Sequence, residues 1–128
     1  LRKHQGEGVP FKLIVQELVQ STAGATGAIL IDWEGEAVEF YSPVASEFDI
    51  KILGAHQNIV FSRIREIRQR VSLQNVGNVV ITTDQQHCIL GAVGDDYTLV
   101  TVLERNALVG RALVNVQRTV RLLEKEIY

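Results

Sequence analysis

The stretch Thr22-Ala23-Gly24-Ala25-Thr26-Gly27-Ala28-Ile29-Leu30-Ile31-Asp32-Trp33-Glu34-Gly35 decides the fold. From Ala28 to Trp33 it is apolar at both odd and even positions apart from Asp32, as expected of a strand covered on both faces. The glycines at 24 and 27 mark a turn before that strand, and Glu34-Gly35 supplies the positive-φ residue of a hairpin. A return strand follows over 36–41 and stops at Ser42-Pro43. Upstream, Phe11, Ile14, Val15 and Leu18 recur at helical spacing, with Lys12, Glu17 and Gln20 opposite. Pro10 opens this helix where a missing N–H costs nothing, and Gly24 ends it. The chain therefore begins with a helix, a glycine turn, a central strand and a hairpin partner.

The same reading extends to the C-terminus. A loop through Ser46 and Glu47 leads to a long helix over 49–73, for which Leu53, Val60, Ile64, Ile67 and Val71 form the expected core stripe. Three strands follow over 76–82, 87–93 and 97–103, separated by Thr83-Asp84-Gln85 and Gly94-Asp95-Asp96, and read as an antiparallel meander. Asn106 is placed to cap a last helix whose Val109, Ala112, Leu113, Val116, Val120, Leu123 and Ile127 share one face, with Arg111, Arg118 and Arg121 opposite or at its margins. The order is α-β-β-α-β-β-β-α, an α/β (α+β) chain. Residues 1–9 read as a flexible leader and 10–128 as a single domain.

Composition narrows the function classes. The 128 residues are 46% hydrophobic, enough for a core without disulfides, and Cys88 is the one cysteine. Thirteen basic against fifteen acidic side chains give a formal charge of −2, which offers no global attraction to nucleic acid. Apolar runs are strand-sized and no signal-peptide core opens the sequence, so a soluble cytoplasmic protein without membrane insertion is expected.

Candidate chemistry is sparse. No Gly-x-x-x-x-Gly-Lys-Ser/Thr segment exists, and Gly91-Ala92-Val93-Gly94 is not followed by a helix, so neither a P-loop nor a dinucleotide turn is expected. His87 and Cys88 are adjacent in a strand and point to opposite faces, which separates a thiol from its base. His4 and His56 lack ligand-spaced partners, and Asp95-Asp96 reads as turn chemistry. The expectation is a non-enzyme with no catalytic residue, no cofactor and no metal.

Interaction features are stronger. The segment Val76-Gly77-Asn78-Val79-Val80-Ile81-Thr82 has neither charge nor proline, the devices that keep an edge strand unpaired, whereas the second strand carries Glu36 and Glu39. The long helix carries apolar residues beyond its core stripe: Ile50, Gly54 and Phe61 on one flank, Ile52 and Ile59 on the other. Gly54 and Ala55 permit close backbone approach. Arg63, Arg65, Arg68 and Arg70, set against Glu66, read either as a solvated face or as a patch for an acidic partner.

The order of elements, the Gly24 to Gly27 turn, and Leu99-Val100-Thr101-Val102-Leu103-Glu104-Arg105-Asn106-Ala107-Leu108-Val109-Gly110-Arg111-Ala112 together resemble the Roadblock family. The resemblance spans about residues 10–125. It implies a profilin-like, five-stranded antiparallel sheet with helices on both faces, whose second and third strands are the edges. It also implies a homodimer, to which the residues assign Ile52, Gly54, Ala55, Ile59, Phe61, Val76, Asn78, Val80 and Thr82. MglB-like members of the family regulate small Ras-like GTPases, so such a GTPase is the implied partner, with Arg63, Arg65, Arg68 and Arg70 as candidate contacts. A scaffold subunit like the roadblock-type light chains of motor complexes, or a small-ligand sensor in the open cleft, are the alternatives.

Overall fold

The structure, a computed structural model, describes residues 10–70 and 76–128. Its elements are α1 (Phe11–Ser21), β1 (Ala25–Asp32), β2 (Ala37–Tyr41), α2 (Glu47–Arg70), β3 (Asn78–Thr82), β4 (Gln86–Val93), β5 (Tyr97–Glu104) and α3 (Val109–Ile127). The strands form one antiparallel sheet in the order β2-β1-β5-β4-β3. The expected element order and α+β class are those observed. The proposed leader over 1–9 and the end of the long helix at 71–73 lie outside the described residues.

Alternation along the strands divides the core in two. Ala28, Leu30, Ile89, Leu99 and Leu103 face α1 and α3, where they meet Ile14, Val15, Leu18, Val116 and Leu123. Ile29, Ile31, Leu90, Val100 and Val102 face the other way, with Ile50 and Phe61 of α2. β1 and β5 are thus covered on both faces, which is why their sequences lack a polar period.

Local signals account for most boundaries. Gly24 adopts φ 86° in the turn after α1, and its carbonyl accepts the Glu104 N–H at 2.8 Å. Gly35 takes φ 86° in the first hairpin, where Asp32 Oδ1 accepts the N–H groups of Glu34 and Glu36. Ser46 Oγ accepts the Asp49 N–H, so α2 starts at Glu47, two residues before the expected 49. Asn106 does not cap α3: the N-cap position belongs to Leu108, without a side-chain bond.

Candidate functional site

α2 is rotated relative to the sequence expectation. Ile50 and Phe61, together with Gly54, face the sheet, whereas Val60 and Ile67 of the expected core stripe point outward and Leu53 and Ile64 are half-buried. Val71, the stripe's last member, lies outside the described residues. The physical reason sits at Gly54. A β-carbon there would lie 2.6 Å from Ile31 Cδ1 and 2.9 Å from Ile29 Cγ2, so the absent side chain lets the helix descend onto β1. Thr98 Oγ1 donates to Asn58 Oδ1 at 2.8 Å on the same inward face. Gly54 and Phe61 therefore serve the protomer's own core and leave the set of residues available to a second subunit.

The outward face of α2 is left apolar. Phe48 is 71% exposed, Ile52 44%, Ile59 57% and Ile67 53%, and Val60 and the preceding Val44 are exposed too. Their spacing of three, four or seven residues places Phe48, Ile52, Ala55 and Ile59 in one line along the helix. Such a stripe is more continuous than the singly scattered apolar residues of an ordinary surface. Ile52, Ala55 and Ile59 were legible in the sequence. Phe48 was missed because the helix was started after it, and its signal was the four-residue step to Ile52.

Among the described residues β3 is an edge, paired with β4 alone. Val79 and Ile81 turn towards the α2 side of the sheet, while Asn78, Val80 and Thr82 alternate to the other side, with Val80 and Thr82 exposed. Val76, just before the strand, is half-buried. The opposite edge, β2, is guarded: Lys12 Nζ donates to the Phe40 carbonyl at 2.6 Å and lies 3.8 Å from Glu39 Oε1. The sequence contrast rested on Glu36 and Glu39 guarding the second strand; the structure adds Lys12 to that guard.

The four arginines separate into two pairs. Arg63 and Arg70 point outward beside the apolar stripe, with Arg63 Nη1 3.3 Å from Glu66 Oε1. Arg65 and Arg68 turn towards the sheet and are half-buried; Arg65 donates to the Asp95 carbonyl at 3.3 Å and stacks over Phe61 at 4.7 Å. A continuous four-arginine patch does not form, because residues two apart on a helix do not share a face. Lys51, 2.7 Å from Glu47 Oε2, holds the Glu47 carboxyl below its usual range at the start of α2.

Elsewhere the candidate chemistry is committed to structure. Cys88 is buried on the α2 side, and burial raises its thiol to about 11. His87 lies on the other face, bonded to Thr82 Oγ1 through Nδ1 and to the Arg105 carbonyl through Nε2, each at 2.7 Å. Among the described residues no group of three His, Cys, Asp or Glu side chains could hold a metal ion, and no helix is long and apolar enough to cross a membrane.

This arrangement is the Roadblock/LC7 fold. A Roadblock/LC7 domain from Streptomyces avermitilis superposes with a TM-score of 0.82 at 17% identity, covering 90% of this chain and 95% of that one. Myxococcus xanthus MglB gives 0.82 at 14% identity, over 93% and 95%. A structure described as MglB with tetrameric arrangement gives 0.79 at 16% identity, over 89% and 85%. Profilins of Acanthamoeba castellanii share the layout more loosely, at a TM-score of 0.59. No protein-family model matches the chain, and no curated protein matches it in sequence.

Proposed function

We propose that this chain is a non-catalytic, homodimeric regulator that binds a small Ras-like GTPase in the cytoplasm and alters its nucleotide cycle. The observation that carries the reading is the exposed apolar stripe of α2 lying on the same molecule as a bare β3 edge. Pairing β3 with its copy would continue the sheet across two subunits, and the apolar stripes would supply the burial that an edge contact lacks. Ile52, Ala55, Ile59, Val80 and Thr82 are the dimer residues of this proposal, with Phe48 added and Gly54 and Phe61 removed; Val76 and Asn78 flank them. The likeness to MglB, including a tetrameric arrangement of it, supports self-association.

The GTPase would meet a paired α2 platform bearing Arg63 and Arg70. Guanidinium groups there offer planar, multidentate hydrogen bonds to an acidic face. A regulator of this kind acts through differential affinity: it shifts the GTPase between switch conformations only as far as it binds one more tightly. The test is affinity capture on the immobilised protein, run with a non-hydrolysable GTP analogue and with GDP. Any retained GTPase is then assayed for nucleotide hydrolysis and exchange with and without this protein. A GTPase held preferentially in one nucleotide state, and released by Arg63→Glu/Arg70→Glu, supports the proposal. Retention of the same non-GTPase proteins in both arms refutes it in favour of a scaffold subunit.

A further inference from the structure

The outer backbone of β2 is held by side chains instead of by a strand. At Phe40 the N–H donates to Glu39 Oε1 at 3.1 Å and the carbonyl accepts from Lys12 Nζ at 2.6 Å. Lys12 Nζ also lies 3.8 Å from Glu39 Oε1 and 4.7 Å from the centre of the Phe40 ring, so the two side chains close a clasp around this one residue. The ammonium supplies the donor, and the carboxylate the acceptor, that a neighbouring strand would bring. The adjoining Val38 is bulged, since Leu30 opposes Glu39 and Ile31 opposes Ala37. Lys51 approaches the same ring from α2, at 5.6 Å, but its hydrogen bond goes to Glu47 Oε2.

Without the clasp, β2 is its own complement. In an antiparallel pair, a residue whose N–H and C=O both face the neighbour exchanges two hydrogen bonds with the residue opposite. In β2 that residue is Phe40, so two copies related by a two-fold axis there would trade the bonds that Glu39 and Lys12 now take. Their half-buried rings would meet on the α2 side of the joined sheet. β2 and β3 are each five residues long and bound the two ends of one sheet. A chain open at both would not close on itself: β3–β3 and β2–β2 contacts in alternation would lengthen the sheet without limit.

We propose that β2 is a second self-association edge held shut by the Lys12–Glu39 clasp, and that its occupant when open is β2 of another copy of the chain. The clasp thereby confines assembly to the β3 edge. The unlimited array rests on the β3 contact proposed above; the pairing of an opened β2 does not.

Light scattering over a concentration series compares the unmodified chain with Lys12→Ala/Glu39→Thr, which removes one charge of each sign and keeps the formal net charge at −2. The mass should rise about twofold or more and keep rising with concentration, with circular dichroism unchanged. In a Val80→Lys background, which puts a charge on β3, the same pair of substitutions should about double the mass of Val80→Lys alone. That arm reads β2 whether or not the chain dimerises through β3, so it separates failure of this inference from failure of the dimer reading. Lys12→Arg keeps a donor for the Phe40 carbonyl and should leave the mass unchanged, as should Lys51→Ala/Glu47→Ala, which removes the neighbouring ion pair without freeing backbone. If the clasp variant loses α-helical signal, Lys12→Ala alone takes its place. An unchanged mass in the Val80→Lys arm, or an equal rise in Lys51→Ala/Glu47→Ala, overturns the inference.

Discussion

Replacing Gly54 with alanine distinguishes the two possible rotations of α2. With the glycine on the sheet, the new β-carbon meets Ile31 Cδ1 at 2.6 Å and Ile29 Cγ2 at 2.9 Å. Ile31 can move its terminal methyl, but the Cγ2 branch of a fully buried Ile29 has little freedom. Overpacking of this kind costs about 1–3 kcal/mol. Alanine regains about 1 kcal/mol of helix propensity, so the net expectation is a loss of up to about 2 kcal/mol. If Gly54 instead faced outward, only the propensity term would remain and the variant would gain about 1 kcal/mol. Urea unfolding followed by circular dichroism at fixed protein concentration reads the sign directly, and the double variant with Ile31→Val should recover part of the loss through favourable coupling. A midpoint that rises in Gly54→Ala, or a loss that vanishes at low protein concentration as an interface effect would, refutes the placement of Gly54 over β1.

Three further expectations follow from the same geometry. Gly24→Ala should destabilise by about 2 kcal/mol or more, because φ 86° is left-handed and the added carbon would press on Ala107, whereas Gly27→Ala, with its nearest neighbour at 3.4 Å, should be tolerated in the same thermal melt. Val80→Lys places a charge on the bare edge of β3 and should convert the proposed dimer to a monomer by light scattering without lowering α-helical content, while an unchanged mass would remove β3 from the interface. The thiol of Cys88 titrates near 11 when folded against 9.0 ordinarily. Between those values the unfolded chain has released a proton that the folded chain retains, so stability should fall as pH rises above 9. Cys88→Ala should flatten that decline in urea midpoints measured from pH 8 to 10.5 if the thiol is its source.

Apolar periodicity, glycine placement and chain order determined the element sequence and the two-sided burial of β1, since each is a local property of spacing. That β2 and β3 are the edges was implied by the family resemblance, and the contrast between Glu36 and Glu39 at β2 and the uncharged run through β3 agreed with it. What the sequence reading placed wrongly was the rotation of α2, because that helix is apolar on two faces and periodicity counts side chains without knowing what lies beneath them. Only the tertiary structure, by setting Gly54 over Ile29 and Ile31, turned Phe61 inward and Ile52, Ile59 and Ile67 outward. The same rotation divided the arginines, sending Arg65 to the Asp95 carbonyl and leaving Arg63 and Arg70 on solvent. The clasp on β2 was equally invisible in one dimension, because Lys12 reaches the Phe40 carbonyl only when α1 packs beside that strand.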